Sequence, residues 1–180
     1  MQIKLSFLGA AQNVTGSQYL IETNKVRLLV DCGLYQEREL TGRNWSPFFI
    51  PPETLDAVLL THSHLDHNGL LPKLVREGFH RLIHGTAATS EITRIMLLDT
   101  ANLQQEDAEF KRRRHQREGR KGLYPEIPLY TKEDAEAVFP LFSEDFSPGS
   151  SELDRESRRR LRCCAAGVDR YSTPDYKSRD

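Results

Sequence analysis

A chain of 180 residues with 25 Lys and Arg against 26 Asp and Glu has a net charge of −1, so it exerts no general pull toward nucleic acid or membrane. It is long enough for one domain with a sizeable core, and no stretch approaches the ~18 apolar residues of a membrane span. The opening MQIKLSFLG lacks the basic segment, apolar core and cleavage site of a secretory leader, and three cysteines make no disulfide framework; the composition fits a cytoplasmic protein.

Residues Met1 to Leu8 alternate as a first strand. Ser17 to Glu22 and Val26 to Asp31 read as a hairpin turning through Thr23-Asn24-Lys25. Asp56 to Thr61 is a short buried strand, followed by a helical stretch from Asn68 to Glu77 with Gly78 as its stop. Pro72 suits the first turn of the later part of that stretch, where a missing N–H costs least. Arg81 to His84 is another short strand. Ser90 to about Arg117 reads as a long helix with Ile92, Ile95, Met96, Ala101 and Phe110 on or near an apolar stripe. Thr131-Lys132-Glu133-Asp134 resembles a capping box that opens a third helix to about Leu141. No internal repeat is present.

The segment Thr61-His62-Ser63-His64-Leu65-Asp66-His67 concentrates three imidazoles and a carboxylate. Neutral imidazole nitrogens and carboxylate oxygens bind zinc, and a catalytic site leaves one position open for a water that the metal acidifies. Residues two apart do not face each other on a helix, so His62 and His64 are expected to converge from a loop after the Asp56–Thr61 strand. The alternative, a chance cluster of surface histidines, does not account for the strand-then-loop context. Asp31 closes the second hairpin strand. It is either an ordinary turn residue or the partner that ligating histidines need for their other ring nitrogen. Cys32 reads as a small buried side chain. His80, His84 and His115 stand alone as structural or exposed residues. Lys111, Arg112, Arg113 and Arg114 form either a solvated helix end or a patch for nucleic-acid phosphates; no aromatic residue interleaves the run, so it does not look like a base-stacking surface.

The His62–His67 cluster matches the HxHxDH signature of the metallo-β-lactamase superfamily in full. The resemblance implies an α/β fold, the first half of an αββα sandwich. It implies zinc as cofactor, two ions in the intact family. His62 and His64 would hold one ion, Asp66 and His67 the second, with Asp66 also catalytic in positioning or deprotonating the attacking water. Asp31 matches the aspartate that holds the HxHxDH loop in place. Further segments, Asn13-Val14-Thr15-Gly16-Ser17, Asp31-Cys32-Gly33-Leu34-Tyr35-Gln36, His67-Asn68-Gly69-Leu70-Leu71-Pro72-Lys73-Leu74 and Gly85-Thr86-Ala87-Ala88-Thr89, resemble the β-CASP branch, whose members are phosphodiesterases acting mainly on RNA. RNA is therefore the implied partner. A thioester or lactam hydrolase of the same superfamily is the alternative, and a non-catalytic metal-binding remnant is the third reading.

The resemblance runs from Met1 to about Phe146, which defines a partial domain over 1–146 and a non-family tail over 147–180. The family's later histidines and bridging aspartate have no counterpart, since no histidine follows His115. Truncation or a frameshift near Ser147 is the expectation. A metal-binding half-site is then expected to hold zinc weakly and to have little activity unless a homodimer completes it.

Overall fold

The computed structural model describes residues 2–119 and 126–143. The tail over 147–180 lies outside the described residues. Strands β1 (Lys4–Phe7), β2 (Tyr19–Glu22), β3 (Arg27–Val30), β4 (Ala57–Leu59) and β5 (Ile83–His84) form one sheet in the order β1-β2-β3-β4-β5. The first three pair antiparallel and the last two join in parallel. Every strand expected from the sequence is present, each shorter than its apolar run. The hairpin turn is closed by Thr23, whose hydroxyl accepts from the Val26 amide at 3.0 Å.

Register explains the layers. Leu20, Leu29, Val58 and Ile83 stand side by side across β2 to β5, each at most 2% exposed. This row meets Leu71, Leu74, Leu97 and Ala101 from the helices, and Tyr130 and Val138 from the segments either side of Lys132–Glu136, and together they form the core. The opposite face carries Phe7, Tyr19, Val30 and Leu59 in register, and Phe7 at its open end is 63% exposed. Both faces of the sheet are thus apolar, as in a strand layer buried on two sides.

The helical stretch expected over 68–77 is two helices, α1 (Leu65–Asn68) and α2 (Leu71–Arg76). Pro72 lies in the first turn of α2. The helix ends in a Schellman motif: the Phe79 amide reaches the Leu74 carbonyl and the Gly78 amide the Val75 carbonyl, with Gly78 at φ +114°. Helix α3 runs Ala87–Glu118, capped by the Thr86 side chain and stopped by left-handed Gly119. The expected apolar stripe of α3 is corrected. Ile92, Ile95 and Phe110 are 48, 68 and 63% exposed, and Ala101 is the member of that set that is buried. The packed face is Thr93, Leu97, Thr100, Ala101 and Ala108, residues small enough to let the helix lie close to its neighbours. The capping box is present: Thr131 and Asp134 exchange side-chain and backbone bonds at the start of α4 (Lys132–Glu136). That helix is shorter than expected, and a separate 3₁₀ turn follows at Phe139–Leu141. The chain then returns to the sheet, where Phe142 bridges Ile83.

Candidate metal centre

The histidine segment is fixed by backbone bonds before any side chain is considered. The Ser17 amide donates to the Asp66 carbonyl at 2.9 Å, Cys32 to His67 at 2.7 Å and Leu34 to Leu65 at 2.9 Å. Three separate segments of sequence are laced together here. Gly33 makes this possible, because a Cβ there would stand 1.7 Å from the Asp66 carbonyl oxygen. His62 and His64 lie in the connection after β4, as their spacing requires. Asp66 and His67, expected in the same loop, instead occupy the first turn of α1, with His64 as its N-cap residue.

Asp31 ends β3 in the left-handed region at φ +60°, where Asp is among the few tolerated residues. The turn aims its carboxylate, 1% exposed, at Thr61 and His67. The Thr61 amide donates to Asp31 Oδ1 at 2.9 Å, and the Thr61 hydroxyl lies 2.8 Å from Oδ2. His67 Nδ1 is 2.8 Å from the same Oδ2. A carboxylate only accepts, so the proton of His67 is on Nδ1. Thr61 has one hydroxyl proton, and Asp31 takes it. His62 Nδ1, 3.0 Å from the Thr61 oxygen, must then donate to it. Both rings are held as the tautomer whose Nε2 is unprotonated. Thr61 is the residue that sequence reasoning assigned no role; the signal was its place between the strand and the first histidine.

The remaining nitrogens converge in pairs. With His62 Nε2 unprotonated, His64 Nδ1 donates to it at 3.1 Å, and His67 Nε2 stands 3.6 Å from Asp66 Oδ2. The rings of His62 and His67 are 3.9 Å apart between centroids. Burial, with His67 and then His64 beside it, lowers the His62 pKa and keeps the ring neutral, the form that ligates. The donor types and their tautomers fit a metal ion. Among the described residues, however, no group of three or more such side chains is arranged around one point, so what is present is two converging pairs. Cys32 is fully buried and its thiol pKa is pushed up by burial, which makes it inert packing. His84 is buried on β5 with its pKa lowered by burial.

The loop before β2 is bound to this centre. Ser17 bonds Asp66 through the backbone, and the Glu37 carboxylate accepts from the Val14 and Thr15 amides at 3.0 Å and from the Thr15 hydroxyl. Lys111, Arg113 and Arg114 are elsewhere. Each pairs with an acid four residues away on α3, Asp107, Glu109 and Glu118, while Arg112 donates to the Glu126 carbonyl. Thr93 of α3 meets Asn68 of α1 at 3.2 Å. From there Lys111 is about 27 Å further along the helix axis at ~1.5 Å per residue.

The family model described as the metallo-β-lactamase superfamily matches residues 12–159. The chain belongs to the metallo-β-lactamase superfamily. Ribonuclease TTHA0252 of Thermus thermophilus is 47% identical over 98 residues, which are 54% of this chain and 22% of that protein. The transcription termination factor FttA of Methanosarcina mazei is 32% identical over 99 residues, 54% of this chain and 16% of the relative. The matches thus span about a fifth of these curated relatives. The crystal structure of the metallo-β-lactamase fold protein YhfI from Bacillus subtilis aligns with a TM-score of 0.35 and 32% identity, over 49% of this chain and 40% of that one. No helix among the described residues is long and apolar enough to cross a membrane.

Proposed function

We propose that the chain carries the histidine-bearing part of a metal-dependent RNA phosphodiesterase of the β-CASP branch, working in the cytoplasm. The observation that carries this is the tautomer control of His62 and His67 by Asp31 and Thr61, which leaves Nε2 lone pairs beside His64 and Asp66. In this reading residues 1–146 are a partial metallo-β-lactamase domain. His62 and His64 would hold one zinc ion, and Asp66 and His67 a second. When bound, the metal supplies Lewis-acid polarisation of a phosphoryl oxygen and acidifies water. The Asp66 carboxylate orients the attacking water and accepts its proton. Asp31 keeps the His67 ring from turning. The choice of RNA over a lactam or thioester is supported by the ribonuclease and the termination factor among the relatives, and by the Val14–Ser17 segment, which resembles the β-CASP branch.

Two donors per ion are fewer than the three usual for catalytic zinc. The 180 residues alone should therefore hold zinc weakly and turn over slowly. A second copy is one source of further donors, and sedimentation with and without zinc reports it. The deciding experiment joins residues 1–143 to the following segment of the Thermus ribonuclease. The chimera is given labelled single-stranded RNA with zinc or manganese. Cleavage that Asp66→Ala abolishes is expected. Hydrolysis of a β-lactam or thioester with RNA left intact would overturn the assignment.

A further inference from the structure

Gln18 and Leu70 line one side of a cavity of about 420 Å³. That volume is in the range of small-ligand pockets. Its walls include Tyr35, Arg43, Phe48, Phe49 and Lys73. The turn Thr41–Trp45 that forms one wall is pinned from two directions. Asn44, 6% exposed, bonds both the amide and the carbonyl of Tyr35 at 2.9 Å. Lys73, 4% exposed, reaches the Ser46 carbonyl at 2.7 Å and lies over the Phe48 ring at 4.2 Å. Glu77 neutralises Lys73 at 2.9 Å, so this lysine builds the wall and offers no charge to a ligand.

Two groups at the mouth are left for a ligand. Arg43 lies over the Tyr35 ring at 5.6 Å, and among the described residues no ion pair falls to it. The guanidinium is therefore oriented by the ring and carries an unneutralised charge. Phe49 is 78% exposed, a full aromatic face held in water. An oriented cation and an open ring at one cavity are complementary to an anion that carries a planar base. The cavity is tied to the centre through the backbone: Gln18 lines it, and the amide of the preceding Ser17 is bonded to the Asp66 carbonyl.

We propose that this cavity binds one nucleotide of a single-stranded RNA, with the base on Phe49 and the phosphate on Arg43. The inference rests on the RNA reading given above and adds a subsite to it. The test measures binding without cleavage. A short fluorophore-labelled oligouridylate is titrated with the full chain in chelator, and its anisotropy is read at several salt concentrations. Phe49→Ala and Arg43→Ala should each weaken binding by about tenfold. Arg43→Ala should also reduce the salt slope by about one, and Phe49→Ala should leave that slope unchanged. Both side chains are at the surface, so circular dichroism should report an intact fold in each variant. A duplex of the same strand should compete poorly. Binding retained by both variants overturns the subsite while leaving RNA cleavage to the chimera assay. No binding by the unaltered chain at millimolar concentration, or equal competition by duplex, overturns it as well.

Discussion

Asp31 reaches Thr61 across 30 residues of sequence, and His67 across 36, whereas Lys111, Arg113 and Arg114 each find an acid four residues away on their own helix. The first region is a buried acid surrounded by groups that need it. The second is a row of exposed pairs that water would satisfy equally well. Both regions hold several ionisable side chains, yet the first is tied by long-range bonds to a buried acid and the second by exposed local pairs. Substitutions in the two regions should therefore differ in scale.

The largest effect is expected at Gly33. Any side chain there meets the Asp66 carbonyl, so Gly33→Ala must push apart the segments that hold the histidines, at a cost of about 3 kcal/mol. Urea denaturation measures it; a loss below about 1 kcal/mol would mean that the three segments are loosely joined. Asp31→Ala comes next, at about 2 kcal/mol, because the Thr61 amide and His67 Nδ1 lose their acceptor and Ala is strained at positive φ. Asp31→Asn tolerates the backbone and should cost less stability. It should nonetheless weaken zinc uptake, since an amide does not fix both ring protons. Equal zinc affinity in Asp31→Asn and the unaltered chain would sever the link between Asp31 and the metal.

How much of this was legible in the sequence follows the same division. The strands and the loop position of His62 and His64 were readable because their signals are local, apolar alternation and residue spacing, whereas Asp66 and His67 fall in the first turn of α1. The position of Asp31 was readable too. The part of Thr61 was not, because it depends on which nitrogen each ring must protonate, and that emerges only when β3 and β4 lie in parallel. Helix α3 misled for a packing reason. Its largest apolar residues, Ile92, Ile95 and Phe110, face outward, and its buried face is built from Thr, Ala and one Leu. A reading that weights bulk chooses the wrong side. The Thr41–Trp45 turn has no periodicity at all and is held by Asn44 and Lys73, which no pattern would single out.

A smaller effect is expected at Glu37. The Thr15 hydroxyl and amide hold its pKa down at about 2. The folded state thus resists the proton more than the unfolded chain, whose ordinary value is 4.5. The clamp on the Val14–Ser17 loop is complete above that ordinary value and is lost as pH falls toward the folded one. Faster hydrogen exchange at the Thr15 amide over that window would show it, and Thr15→Val should narrow the window by raising the Glu37 pKa. The smallest effect belongs to the basic run. Arg114→Ala should change stability by no more than about 0.5 kcal/mol. A loss several times larger would mean that the far end of α3 is as tightly integrated as the histidine centre, and the contrast between the two regions would vanish.

The bonds from Ser17 to Asp66, Cys32 to His67 and Leu34 to Leu65 run from backbone amide to backbone carbonyl and use none of the side-chain donors a metal would take. Ordering of this loop is therefore expected from folding rather than from ligand capture. Metal should bind with little change in heat capacity or ellipticity, because the backbone carrying the donors is already in place. Chelation should leave a folded apoprotein that reloads quickly, unlike a zinc finger, which collapses when its ion is withdrawn.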